Sequence, residues 1–161
     1  MKRGFAFLII LALLLLSVLM AVQKTTPSDE EQGFSHFIDR ARSHVDDFDY
    51  DAAIAEMNTA IEIYPHNVEL YIVRGQMVLL LYEWDRVLEN YNTAIELDPN
   101  YAESYFYRGV LYYSVLTSEI PRQTALADFE HYLELAPSGE LSEQARDYID
   151  VINSELEALG N

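Results

Sequence analysis

The chain has no cysteine among its 161 residues, which removes disulfides, thiol nucleophiles and thiolate metal sites. Positive charge is scarce: ten Lys and Arg stand against 27 Asp and Glu, for a formal net charge of −17. The scarcity is local. Residues 1–33 carry three basic and three acidic side chains, whereas residues 34–161 carry seven Arg, no Lys and 24 acids, and so hold the whole imbalance. A field of this sign repels phosphate backbones and anionic headgroups, which argues against nucleic acid and peripheral membrane binding. It draws in cationic partners, and it is also an ordinary route to solubility.

Catalytic signatures are missing as well. There is no Gly-rich phosphate loop and no G-x-S-x-G elbow, and His36, His44, His66 and His131 show no paired ligand spacing such as H-E-x-x-H. The acidic run Asp46, Asp47, Asp49 and Asp51 is not a calcium loop. Counted from Asp47, the sixth position is Ala52 and the twelfth Asn58, where such a loop needs Gly and Glu. No metal, no cofactor and no enzymatic reaction are expected.

At the N-terminus, residues 1–4 are basic, and an uncharged apolar run follows from Phe5 to Val22, broken only by Ser17. Eighteen residues at ~1.5 Å each make a helix of roughly 27 Å, close to the ~30 Å core of a bilayer. A cleaved signal peptide has a shorter run and small residues one and three places before the cut. Here a cut after Ala21 puts Leu19 at the outer position. The favoured reading is an uncleaved transmembrane anchor over 5–22, and the alternative is the same chain exported and released by cleavage. Lys2 and Arg3 precede the span, so the N-terminus is expected in the cytoplasm and the rest of this single-pass chain on the far side. Residues 23–33 read as a polar tether, and Ser28 with Glu31 forms a capping pair that can open a helix.

What the chain has in quantity is repetition. Asn58-Thr-Ala-Ile-Glu-Ile-Tyr-Pro65 is echoed 34 residues later by Asn92-Thr-Ala-Ile-Glu-Leu-Asp-Pro99. A period of 20 to 50 residues marks stacked repeats. Counting back from the prolines sets frames of 34–67, 68–101 and 102–139, the third closing at Pro137 with four extra residues within 116–123. The columns agree: Phe37, Tyr71 and Tyr105; Arg40, Arg74 and Arg108; Ala41, Gly75 and Gly109. Later come Ala53, Val87 and Ala125, then Met57, Tyr91 and Phe129, then Ala60, Ala94 and Tyr132. Within each frame, apolar residues recur at spacings of three and four on two segments, as two amphipathic helices require. Asp47-Phe-Asp49 and Glu83-Trp-Asp85 interrupt them midway and are expected to cap the second helices. The small column predicts close helix approach, and the Arg column predicts packed stems with heads on neighbouring acids. Residues 140–161 form a final helix with Leu141, Ala145, Tyr148, Ile149, Ile152, Leu156 and Leu159 on one face, a cap for the open end of the stack.

These columns resemble the tetratricopeptide repeat (TPR) family, whose pattern runs aromatic, large, small, aromatic, then Ala, aromatic, Ala and Pro. His44 and Tyr132 depart from it. The resemblance implies an all-α solenoid of three helix pairs plus the cap, and a function in holding another protein. In that family the concave groove is lined mainly by the first helix of each repeat. Carried onto this frame, the lining is Ile38, Arg42 and Val45, then Ile72, Gln76 and Leu79, then Phe106, Val110 and Tyr113. These are not the core columns, so their apolar character implies a surface for an apolar or amphipathic protein segment with basic flanks, unless the tether or cap helix fills the groove. Some chaperone adaptors of the family grip acidic C-termini with a clamp of Lys, Asn and Arg. The matching positions here are Ile38, Arg42, Val73, Glu103 and Tyr107, with a single cation, so an acidic tail is the wrong ligand.

Overall fold

A computed structural model describes residues 29–115 and 119–159. The anchor expected over 5–22 and most of the tether lie outside them. Among the described residues no helix is long and apolar enough to cross a membrane. Seven helices are described: α1 (Asp29–Asp46), α2 (Tyr50–Ile63), α3 (Val68–Leu79), α4 (Trp84–Leu97), α5 (Ala102–Val115), α6 (Glu119–Leu135) and α7 (Ser142–Leu159). They make three pairs and a closing helix, in the frames the prolines set. One boundary moves: α1 starts at Asp29, so the last five residues of the expected 23–33 tether are helical. The chain from Phe37 onward forms one compact unit, and the described residues up to His36 belong to another.

Local chemistry sets the helix ends. The Asp49 carboxylate accepts from the Ala52 N–H at 3.1 Å and opens α2, and the Asn67 side chain does the same for Leu70 at the start of α3. Glu83 does not cap α4 as expected. Its side chain makes no cap bond and pairs with Arg86 instead, because the extra methylene carries the carboxylate beyond the first-turn N–H groups. The proline carbonyls have a use of their own. Tyr71 donates its hydroxyl to the Pro65 carbonyl at 3.0 Å, and Tyr105 donates to Pro99 at 3.1 Å, so the two tyrosines of the aromatic column tie α3 and α5 to the turns before them.

Within each pair, first and second helices meet over the small column. Ala41 is wholly buried, and a β-carbon on Gly109 would stand 3.1 Å from the Phe129 ring. Met57, Val87, Tyr91 and Phe129 fill the space between, each burial contributing about 1.5–3 kcal/mol. The Arg column then joins one repeat to the next. Arg74 of α3 donates from Nε to Asn90 of α4 at 2.7 Å and from Nη1 to Asn58 of α2 at 2.9 Å. Arg108 of α5 grips both oxygens of Asp128 in α6, at 2.7 and 2.9 Å, and reaches back to Asn92 of α4 at 2.9 Å. Each of these guanidinium groups therefore holds three helices. Arg40 pairs with Glu56 on the surface. Burial pushes the Arg74 guanidinium below its ordinary value, whereas the hydrogen bond it donates to Asp128 holds that of Arg108 above it.

Tyr132, the departure from the small column, is wholly buried in the third repeat. Its hydroxyl accepts from the Leu141 N–H at 3.1 Å and so anchors the turn into α7. Phe106, Phe129 and Tyr132 join Tyr148 of α7 in one aromatic cluster, with Phe129 and Tyr148 stacked in parallel at 4.7 Å. Ala145 and Ile152 are buried beside it, and the acids of α7 face water apart from half-buried Glu155. Where the first two repeats use a Tyr hydroxyl, α7 uses Arg146, which donates to the Pro137 carbonyl at 2.6 Å.

Candidate functional site

The first helices carry the expected lining, but rotated from the expectation. Ile38, Ile72 and Phe106 are each only 4% exposed and belong to the core. The reason lies in their spacing. Each sits three residues before the small column, on the same helix face, and is drawn into the same contact. The offsets four and seven residues further on stay accessible. Arg42, Val45 and Asp46 of α1 face Gln76 and Met77 of α3, and Leu80 just after it, across a cleft of about 350 Å³ floored by Val73. Val110 is half-buried against the aromatic cluster. Leu79 does not line this face. It points to the edge formed by the turns inside the repeats, beside Tyr50, Tyr82 and Trp84.

A second cleft, of about 290 Å³, lies at the other end, where Tyr113 of α5 faces Gln144, Asp147, Tyr148 and Val151 of α7. Three of these residues were open to discovery from the sequence. The third frame is 38 residues long, and adding 38 to Phe106, Val110 and Tyr113 gives Gln144, Tyr148 and Val151. The last helix is therefore a cap and also a fourth lining helix. It occupies part of the groove: Tyr113 meets Tyr148 edge-on at 5.4 Å and donates to Glu155 at 3.2 Å, while Arg122 holds the same carboxylate at 2.8 Å. Desolvation, followed by the bond to Glu155, keeps the Tyr113 phenol protonated above its usual range. Among the described residues no group of His, Asp and Glu could hold a metal ion. The lining offers apolar rings, two amides, one cation (Arg42) and the carboxylates Asp46 and Asp147.

The family profile for the TPR repeat matches residues 83–115, from the turn before α4 to the end of α5. Over these residues the chain carries a tetratricopeptide repeat. Solved TPR domains share the fold. The Sgt2 TPR domain from Aspergillus fumigatus superimposes with a TM-score of 0.68 at 16% identity, covering 80% of this chain and 82% of that one. The first TPR of Spaghetti (RPAP3), bound to the HSP90 peptide SRMEEVD, gives 0.65 at 21% identity over 78% and 94%. The Yersinia enterocolitica type III secretion chaperone SycD, in complex with a peptide of the translocator YopD, gives 0.66 at 12% identity over 77% and 95%. No curated protein gives a significant match to the sequence.

Proposed function

We propose that this chain is a membrane-tethered TPR adaptor that holds a segment of a partner protein along its concave face. The observation that carries the reading is the continuation of the lining columns into α7. It gives four helices facing one groove, with a cleft at either end. Solved structures of similar fold in complex with peptides support a peptide-holding use of the groove. Their ligands differ in chemistry, and the lining decides which kind suits this chain. Of the five clamp positions, Ile38 and Val73 are buried, Glu103 is itself acidic and half-buried Tyr107 is uncharged, so Arg42 is the single cation left to meet a carboxylate. An apolar or amphipathic segment with basic flanks fits the rings and the acidic surround. The module binds and does not catalyse.

The tether rests on the apolar run 5–22, and Lys2 and Arg3 before it favour the non-cytoplasmic side for the repeats. Its alternative is the same module released after cleavage. Mass spectrometry of the N-terminus and carbonate extraction of membranes separate the two: an intact N-terminus in the pellet supports the anchor, and a soluble form beginning near Val22 overturns it. The groove is tested by photo-crosslinking side chains placed at Gln76 and Gln144, with Thr59 on the exposed face of α2 as control. Crosslinks to one partner from both glutamine positions and none from Thr59 are expected. Equal yields from all three would remove the groove as the site.

A further inference from the structure

The turns inside the first two repeats spend bulky side chains where glycine is at ease. Phe48 and Tyr82 stand 34 residues apart, and both have φ of 60°. At Phe48 the backbone closes α1 as a left-handed cap, with its N–H on the Val45 carbonyl and the Asp49 N–H on that of His44. Glycine is the ordinary occupant of such a position, because a β-carbon is strained there. Both rings are also exposed, at 79% and 75%. Neither the backbone nor the core gains from them. Each leans edge-on against the aromatic two residues later, Phe48 on Tyr50 at 6.5 Å and Tyr82 on Trp84 at 5.5 Å. Leu79 and Leu80 are exposed on the same edge, so four of the six exposed large apolar side chains among the described residues gather there. Between the turns lies a cleft of about 610 Å³ that runs from Tyr50 past Leu80 and Trp84 to Ser114 and Val115.

Charge says what suits this edge. Asp46, Asp47, Asp49 and Asp51 surround the first turn, and Glu83 and Asp85 the second, all exposed. Arg86 is the nearby cation, and Glu83 holds it. A second copy would bring the same acids against these, and an anionic bilayer surface would be repelled in the same way. We propose that the turn edge is a second binding surface, meeting the concave groove at Leu80, that takes a protein segment in which Lys or Arg flanks apolar side chains. The apolar side chains enter the cleft beside Leu80 and Trp84. The cations lie over the Phe48 and Tyr82 rings and against the carboxylates, where ring and charge attract them together.

Trp84 is the only tryptophan of the chain and lines the cleft, so its fluorescence reads the site directly. The full chain in zwitterionic nanodiscs is titrated with a peptide of Leu, Phe and Lys, which has no tryptophan. The Trp84 emission is expected to move to shorter wavelength on binding, and a counterpart with Glu in place of Lys is expected to leave it unmoved. The decisive variant is Phe48→Gly with Tyr82→Gly, because glycine relieves the left-handed strain and the fold keeps its helical signal. This pair should weaken the peptide at least about tenfold, as loss of interface aromatics does. Arg42→Ala with Gln144→Ala, in the groove, should leave the Trp84 response unchanged, whatever the crosslinking at Gln76 and Gln144 shows. Unaltered binding by the glycine pair overturns the proposal, and so does equal loss in the groove variant. Quenching of Trp84 by brominated lipid would assign the edge to the bilayer. A shift that follows chain concentration without peptide would assign it to a second copy. Either result also overturns the proposal.

Discussion

Gly75 has no room for a β-carbon, because the Tyr91 ring edge lies 2.6 Å from where that carbon would stand. Helices α3 and α4 are in contact there backbone against ring. Gly75→Ala is therefore expected to push the ring out of a fully packed site and cost about 1–3 kcal/mol, and Gly75→Leu more. Urea unfolding followed by circular dichroism checks this, and an unchanged midpoint for Gly75→Ala would show that the ring yields freely.

The Arg column should not be uniform in its energetics. Asp128 is buried and holds Arg108 through two bonds, so Asp128→Ala leaves a guanidinium with its partner removed and is expected to cost about 3 kcal/mol or more. Arg40 meets Glu56 with half its side chain in water, and Arg40→Ala should cost below ~1 kcal/mol. Equal losses in the two variants, measured in the same unfolding assay, would contradict the difference in burial.

Alkaline stability should carry a tyrosine signature. Burial, then the nearby carboxylates of Glu103 and Glu69, push the Tyr101 phenol up to about 12 from an ordinary value of 10. The folded state keeps this proton after the unfolded state has lost it. The stabilisation is complete below pH 10 and is lost as pH rises toward 12. Unfolding midpoints measured from pH 9 upward should fall, and Tyr101→Phe should flatten the decline. A decline of the same slope in the variant would place its cause elsewhere.

The clamp positions make a direct forecast about ligands. The peptide SRMEEVD, held by the first TPR of Spaghetti (RPAP3), should show no saturable binding to this chain by calorimetry, even at low salt. Changing Glu103 to Lys alone should not restore it, because Ile38 and Val73 remain buried. Saturable binding to the unmodified chain would return the acidic tail to the list of partners.

Ser104 is wholly buried with its hydroxyl unpaired. Ser104→Ala keeps the packing and removes the unmet polar group, so stability should hold or rise by about 1 kcal/mol. A clear loss in thermal unfolding would mean that the hydroxyl has a partner, such as a bound water.

The repeat could be read from the sequence because its physical causes are residue-specific. Proline closes each pair, a glycine or alanine marks each close approach, and an aromatic recurs where a hydroxyl meets the proline carbonyl. Rotation about a helix axis is harder to read. A period of 34 places Ile38, Ile72 and Phe106 on first helices but does not say whether they face the groove or the partner helix, and the structure puts them in the core. Gln144, Tyr148 and Val151 were hidden by the longer third frame, although the same offset finds them. Phe48 and Tyr82 were out of reach, since nothing in a non-glycine residue announces a left-handed backbone.

Among the described residues the most extensive helix contacts join neighbours along the chain: α2 with α3, α3 with α4, and so on to α6 with α7. Such a stack behaves under load as links in series. Tension between the N-terminal segment and a captured partner would be borne by one interface after another, and the weakest link would open while the others hold. The guanidinium of Arg108, fastened to Asn92 on one side and Asp128 on the other, makes the middle of the chain the stiff part. Compliance then falls to the first pair, where Arg40 meets Glu56 at the surface.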